Sequence, residues 1–227
     1  MTTVGELTTT TTAPVAATSN TFDSQTTTTT SVTSEWERVN LGFVSAYVLV
    51  RNGEAALVDT GTSGSTSDVE STLGGLGLGW NDLSTILLTH HHGDHVGSLP
   101  EIMAAAPDAV AFAGAEDIPN ITSPRPITAV ADGATVFGLQ IVATPGHTPG
   151  HISILDPAGS ALLAGDALIG EGGGVAGPSA RFTADMATAN ESVVKLGGLE
   201  YEVIYFGHGE PVTSKGSDQV AEFAAGL

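Results

Sequence analysis

Residues 84–97 read STILLTHHHGDHVG, a run of apolar and β-branched residues ending in four histidines within six positions, wrapped around one aspartate. This stretch restricts the folds open to the chain. A short apolar run fits a buried strand, but a cluster of imidazoles and a carboxylate cannot be buried as packing without partners. The strand must therefore end where other polar side chains converge. On extended backbone, residues two apart point the same way, so His90 and His92 address one point. Gly93 lets the chain turn sharply, after which Asp94 and His95 address a neighbouring point. One segment thus offers two half-sites side by side. Imidazole and carboxylate suit Zn²⁺, and also Mn²⁺ or Fe²⁺. His91 alternates with these donors and reads as structural or exposed.

The other three of the seven histidines stand at 147, 151 and 208. ATPGHTPGH (143–151) places His147 in a Pro/Gly turn after an apolar run. LLAGDAL ends such a run at Asp166, and YFGHGE ends one at His208. A single histidine in a turn is ordinarily a surface residue. Here that explanation would have to be repeated for every member of the set, and metal binding accounts for all of them at once.

The rest of the chain reads as one domain behind a tail. Residues 1–34 carry TTTTT twice and few apolar residues, which predicts a largely disordered segment, with an added edge strand as the alternative. Order is expected from about Trp36. VNLGFVSAYVLVRNGEAALVDTG reads as strands around a hairpin turn at Asn52–Gly53. Helical spacing is expected over Ser67–Leu78, from about Val96 to Ala106, over Thr183–Leu196 and over residues 215–225. AVAFAG, ATVFGLQIVATPG, HISILD, SALLAGD and YEVIYF read as strands, and 170–178 as a glycine-rich loop that could cover the site. Two β-rich halves, each finished by helices, suggest two packed sheets with helices outside.

Taken in order, HHHGDH, GHTPGH, GD and GHG resemble the motifs of the metallo-β-lactamase superfamily, from about Trp36 to the C-terminus. The fold this implies is a four-layer αββα sandwich over 35–227, with the site at the edge where the sheets meet. By position, the resemblance implies that His90, His92 and His147 bind a first divalent ion. Asp94, His95 and His208 would bind a second, and Asp166 would bridge the two. The cofactor expected is a pair of divalent ions, Zn²⁺ first, with Mn²⁺ or Fe²⁺ as alternatives. The activity implied is hydrolysis of an ester or thioester by a metal-bridging hydroxide, which Asp94 and Asp166 orient. His151 is expected beside the site rather than in it, and Asp59 of LVDTG is expected to support its loops.

The superfamily's branches differ in detail, and this chain departs from several. True β-lactamases usually lack a carboxylate where Asp166 stands. Acyl-homoserine lactonases place a Tyr three residues after the bridging Asp, where this chain has Ile169. Glyoxalase II enzymes carry a basic C-terminal region, yet only Lys195 and Lys215 lie beyond Arg181. A small glyoxalase II-like hydrolase is the reading that remains. Lactone opening on the same site is the alternative, and a mononuclear iron persulfide dioxygenase is the alternative from another class. GTSGST (61–66) lacks GxSxG spacing, which weighs against a serine nucleophile.

Composition bounds the partners. Six basic residues face 25 acidic ones, a net charge of −19 that disfavours nucleic acid and anionic membranes and leaves a small-molecule substrate. With no cysteine, thiolate ligands and disulfides are excluded. No basic leader with an apolar stretch is visible and no run approaches membrane-spanning length, so a soluble, cytoplasmic protein is expected, an exported processed form being the alternative. Arg181 is expected in a surface salt bridge, with a substrate carboxylate as its other possible partner.

Overall fold

The structure, a computed structural model, describes residues 1–3 and 35–227. All elements lie in the unit Val32–Leu227, and the tail read over residues 1–34 falls outside the described residues except at its first three. Six strands form the first sheet: β1 (Glu35–Asn40), β2 (Ser45–Arg51), β3 (Glu54–Val58), β4 (Leu83–Leu88), β5 (Val110–Gly114) and β6 (Thr128–Val130), in that spatial order. The hairpin β1–β2–β3 is antiparallel, whereas β3–β4–β5–β6 run parallel. The second sheet contains β7 (Thr135–Val136), β8 (Leu139–Ala143), β9 (Ile152–Asp156), β10 (Ala161–Leu163) and, beyond a two-stranded ribbon of β11 (Ile169–Glu171) and β12 (Gly174–Ala176), β13 (Val203–Tyr205). Its order is β13-β10-β9-β8-β7. The helices are α1 (Thr66–Gly75), α2 (Gly93–Val96), α3 (Leu99–Ala105), α4 (Met186–Gly197) and α5 (Gly216–Ala224).

Alternation along the strands decides the layering. Ala46 and Val48 of β2, Leu57 of β3, and Ile86 and Leu88 of β4 face α1 and α3 through Val69, Leu73, Leu99 and Ile102. Their neighbours Tyr47, Leu49, Val58 and Leu87 point the other way, onto Ile141, Ile152, Ile154 and Leu163 of the second sheet. That sheet's opposite face carries Val142, Leu155 and Leu162, which pack on Val193 and Leu196 of α4 and Val220 of α5. Two apolar faces per strand, period 2, thus require a helix layer outside each sheet. The result is the expected αββα sandwich.

Departures from the sequence reading are local. The helix expected from about Val96 begins at Leu99 as α3, and a separate single turn, α2, precedes it where a sharp turn was expected; between them Gly97 N–H bonds to Gly61 O at 2.8 Å. The glycine-rich loop at 170–178 contains the β11–β12 ribbon, whose pairing runs Ile169 to Ala176. The Asn52–Gly53 turn is present with both residues at positive φ, 54° and 83°, as a two-residue hairpin of primed type requires.

Strand ends position the site. β3 and β4 are parallel with Val58 opposite Leu87, so Asp59 and Thr89 leave the sheet side by side. At the end of β5, a Cβ on Gly114 would overlap the carbonyl oxygen of Gly150, in the turn that carries His147. Backbone cannot swing aside as a side chain can. Gly114→Ala is therefore expected to destabilise the fold by about 1–3 kcal/mol, the usual range for overpacking, read as a lowered urea midpoint.

Candidate metal centre

The seven donors of the sequence reading converge at one edge of the sandwich. His90, His92, Asp94 and His95 follow β4, while His147 follows β8, Asp166 follows β10 and His208 follows β13. Three overlapping groups have all their ligand atoms within 4.8 Å of one another: His90, His92 and His147; His90, His95 and Asp166; Asp94, His95 and His208. In the first, His92 Nδ1 lies 3.1 Å from His90 Nε2 and 3.0 Å from His147 Nε2. In the last, His208 Nε2 lies 3.3 Å from Asp94 Oδ2 and 3.4 Å from His95 Nε2. Asp166 reaches both groups, with Oδ1 3.3 Å from His95 Nε2 and Oδ2 3.5 Å from His147 Nε2 and 3.3 Å from His208 Nε2. Donors about 2.0–2.1 Å from a tetrahedral zinc stand about 3.3 Å apart, so these spacings are those of ligand edges.

Outer partners determine which ring nitrogen faces inward. Thr89 Oγ1 gives its proton to Asp59 Oδ2 at 2.8 Å, so it can only accept from His90 Nδ1, 3.0 Å away. Asp59 Oδ2 accepts from His95 Nδ1 at 2.8 Å. Thr183 Oγ1 donates to Ser179 O at 2.8 Å and so accepts from His147 Nδ1 at 3.2 Å. The carbonyl of Phe43 accepts from His208 Nδ1 at 2.6 Å. In all four rings Nδ1 carries a proton and Nε2 points at the cluster, the arrangement in which an imidazole is oriented for a metal.

Charge is divided between the two ends. Burial, reinforced for His90 by neighbouring His95 and for His92 by His91, lowers the pKa of both and keeps them neutral. Burial likewise lowers His147 to about 4. His208 is raised to about 10 by its hydrogen bonds to Asp166 and Asp94. Burial opposes a charge on His95, but Asp166 and Asp59 outweigh it and raise that ring well above its ordinary value. Asp94 is lowered by the hydrogen bond from His208. Burial would raise Asp166, yet the charge on His95 and the bond from His208 hold it well below. Protons on His95 and His208 thus offset two carboxylates where a cation would otherwise do so. Even so, buried Asp166 Oδ1 has only His95 Nε2, 3.3 Å away, beside it and lacks a well-formed hydrogen bond. A divalent cation would supply what that oxygen lacks, and the donor set fits it.

His151 sits behind the cluster. Its Nε2 accepts from Asp166 N–H at 3.0 Å, so Nδ1 carries the proton and donates to Thr144 Oγ1 at 2.8 Å. Thr144 in turn donates to Ser153 Oγ at 3.0 Å, and Ser153 to Ala164 O at 3.0 Å. This chain of bonds holds the loop carrying Asp166. Burial pushes His151 down to about 3, so it stays neutral. His91 turns away from the donors, with Nδ1 3.1 Å from Asp117 Oδ2. A Cβ at Gly207 would overlap Asp166 Oδ1, which explains glycine before His208.

Several residues that matter here were not singled out from the sequence. Asp117, fully buried, accepts from His91 N–H, Thr148 Oγ1 and Gly150 N–H and so joins the loop after β4 to the loop of His147. Nothing in AGAEDIP marks it. Thr89 could have been suspected only from following a strand end, and Thr183 only from preceding the α4 helix. Phe43, at the tip of the β1–β2 hairpin, stacks on His208 with ring centroids 6.0 Å apart. Arg181 makes no ion pair among the described residues and lies 5.2 Å from the centroid of the Phe182 ring.

Comparison with known proteins gives a consistent result. Residues 39–208 match the family model described as the metallo-beta-lactamase superfamily. The chain is 33% identical over 177 residues to "Probable metallo-hydrolase YflN" of Bacillus subtilis, covering 59% of this chain and 67% of that one. It is 39% identical over 121 residues to a hydroxyacylglutathione hydrolase of Alkalilimnicola ehrlichii, covering 53% of this chain and 44% of the relative, so it spans less than half of that protein's length. Among solved structures, the metallo-beta-lactamase family protein TTHA1429 of Thermus thermophilus superposes with a TM-score of 0.66 at 28% identity, covering 81% of this chain and 74% of the other.

Asp59 adopts φ 61°, a conformation Asn tolerates, so Asp59→Asn keeps the backbone while removing the charge that faces His95. Divalent-metal affinity is expected to fall about 10–100-fold, measured by competition with a chelator, with the far-ultraviolet circular dichroism unchanged.

Proposed function

This chain belongs to the metallo-β-lactamase superfamily, and from that premise we propose that it is a dinuclear metal-dependent hydrolase of esters or thioesters. The observation that carries the reading is the set of four imidazoles whose outer partners hold Nδ1 while Nε2 converges on Asp166. His90, His92 and His147 would hold one divalent ion, Asp94, His95 and His208 the other, with Asp166 between them. Zinc is the ion proposed. Divalent ions held by these residues would supply Lewis acidity toward an acyl carbonyl and lower the pKa of a bound water toward neutrality.

The chain's own residues do the rest. A pocket of about 540 Å³ opens onto the donors, lined by Phe43, Gly93, Ile169, Ser179 and Phe182 beside His92, Asp94, Asp166 and His208. Phe43, Ile169 and Phe182 give it an apolar side against which the acyl part of a substrate can lie. Asp94 and Asp166 both reach the pocket and orient the attacking water through their carboxylate oxygens. The water oxygen joins the acyl carbon, the bond to the alcohol or thiol leaving group breaks, and the leaving group departs with a proton. Asp94, the more exposed of the two carboxylates, is the group placed to pass that proton on.

Elemental analysis of protein purified without chelators is expected to find about two zinc or manganese ions per chain. Asp166→Ala should lower that content, and chelation should abolish hydrolysis of aryl esters and thioesters until metal is restored. One iron per chain, with no hydrolysis, would favour oxidation of a sulfur substrate instead.

A further inference from the structure

Outside the metal donors, the pocket wall has an uneven chemistry. Phe43 and Phe182 are 65% and 58% exposed, and both line it. The other four phenylalanines among the described residues are buried or half-buried. Exposed aromatic surface is disfavoured in water, so two such rings gathered at one pocket mark a contact surface for something apolar. Ile169 adds an aliphatic side chain to the same wall, and Ser179 contributes the one hydroxyl.

Cations are missing from it. Among the described residues no lysine or arginine lines the pocket. Arg181, next in sequence to Phe182, is not a lining residue, and its guanidinium lies over that ring, 5.2 Å from the centroid. Arg38, on the neighbouring strand, is engaged by Ser45 Oγ, Glu210 Oε2 and Gly209 O. A carboxylate carried by a substrate would find the Ser179 hydroxyl but no lysine or arginine on these walls, and would approach a chain of net charge −19.

We propose that this pocket selects uncharged substrates bearing an apolar chain on the scissile carbonyl, that Phe43, Ile169 and Phe182 are its specificity-determining residues, and that anionic glutathione-type thioesters are poor substrates. The proposal rests on the hydrolase reading of the metal centre. The pocket's volume, about 540 Å³, falls within the roughly 300–1,000 Å³ of ordinary small-molecule sites and accommodates a medium-length chain. Phe43 has a second role. Its carbonyl holds His208 Nδ1 while its ring stacks on that imidazole, so a chain lying against Phe43 presses on a residue of the metal centre itself.

The test uses the metal-loaded full chain and p-nitrophenyl esters of acetate, butyrate, hexanoate and octanoate, with S-lactoylglutathione as the anionic thioester. Complete burial of a methylene is worth about fourfold, so walls this exposed predict about a twofold gain in kcat/KM per added carbon. Phe182→Ala, on an exposed side chain whose loss does not threaten folding, should cut the octanoate-to-acetate ratio about tenfold. Phe43→Ala, which retains the carbonyl, should also lower it. Rates independent of chain length, or S-lactoylglutathione outpacing the hexanoyl ester tenfold, would overturn the proposal. A parallel calorimetric titration with the uncharged amides acetamide, hexanamide and octanamide needs no turnover. Binding that tightens with length in the absence of any hydrolysis would sink the hydrolase reading and leave the apolar pocket standing. Hydrolysis with no dependence on length in rate or binding does the reverse.

Discussion

A carboxylate 3% exposed, at the end of a strand in an apolar layer, is costly unless its lone pairs are filled. Asp59 fills them with Thr89 N–H, Thr89 Oγ1 and His95 Nδ1. Everything else at the site leans on this arrangement. Through Thr89 the same carboxylate fixes His90, so one anion orients a histidine of each donor group. The parallel pairing of β3 with β4 brings the two strand ends together, and the helix layer behind them keeps water from competing for the bonds. Asp117 plays the corresponding part between the loop after β4 and the loop of His147. The donor geometry is therefore tied to the fold through these hydrogen bonds.

The layered architecture was legible because alternation is a strong signal when both faces of a strand are buried. Val48 and Leu49 already announce two different layers. The donors were legible for another reason: HHHGDH, GHTPGH, GD and GHG bring together residue types that packing does not explain. What stayed hidden was set by tertiary contact. The break between α2 and α3 depends on Gly97 meeting Gly61, 36 positions earlier in the chain, and no local propensity encodes it. Asp117 resembles any loop aspartate until its three donors are seen. Phe43 sits in a hairpin tip with no periodicity to read, and its importance lies in a carbonyl, which sequence does not distinguish.

The electrostatics of the molecule act on two scales. At long range the excess of acidic residues repels anions. Within the cluster, His95 and His208 hold protons against Asp94 and Asp166, while His90, His92 and His147 are kept neutral by burial. Imidazoles must give up a proton to bind a metal, so a cation held here would be taken up with proton release. The apolar wall of the pocket then stands between a locally cation-seeking centre and an anion-repelling surface.

The division of the donors between the sheets has a further consequence. The first sheet and its helices are one uninterrupted stretch of chain, the second sheet and its helices another, and they are joined through the exposed turn at Asp132–Gly133. Four donors come from the first stretch and three from the second. In a chain without cysteine, ions at this seam would act as an inter-sheet cross-link, opened by a chelator where a disulfide would be opened by a reductant. Two fragments made separately and divided at that turn would each lack a complete donor group of their own beyond the strand-end motif, so their reassembly would be governed by metal supply as well as by the apolar seam around Tyr47 and Ile154.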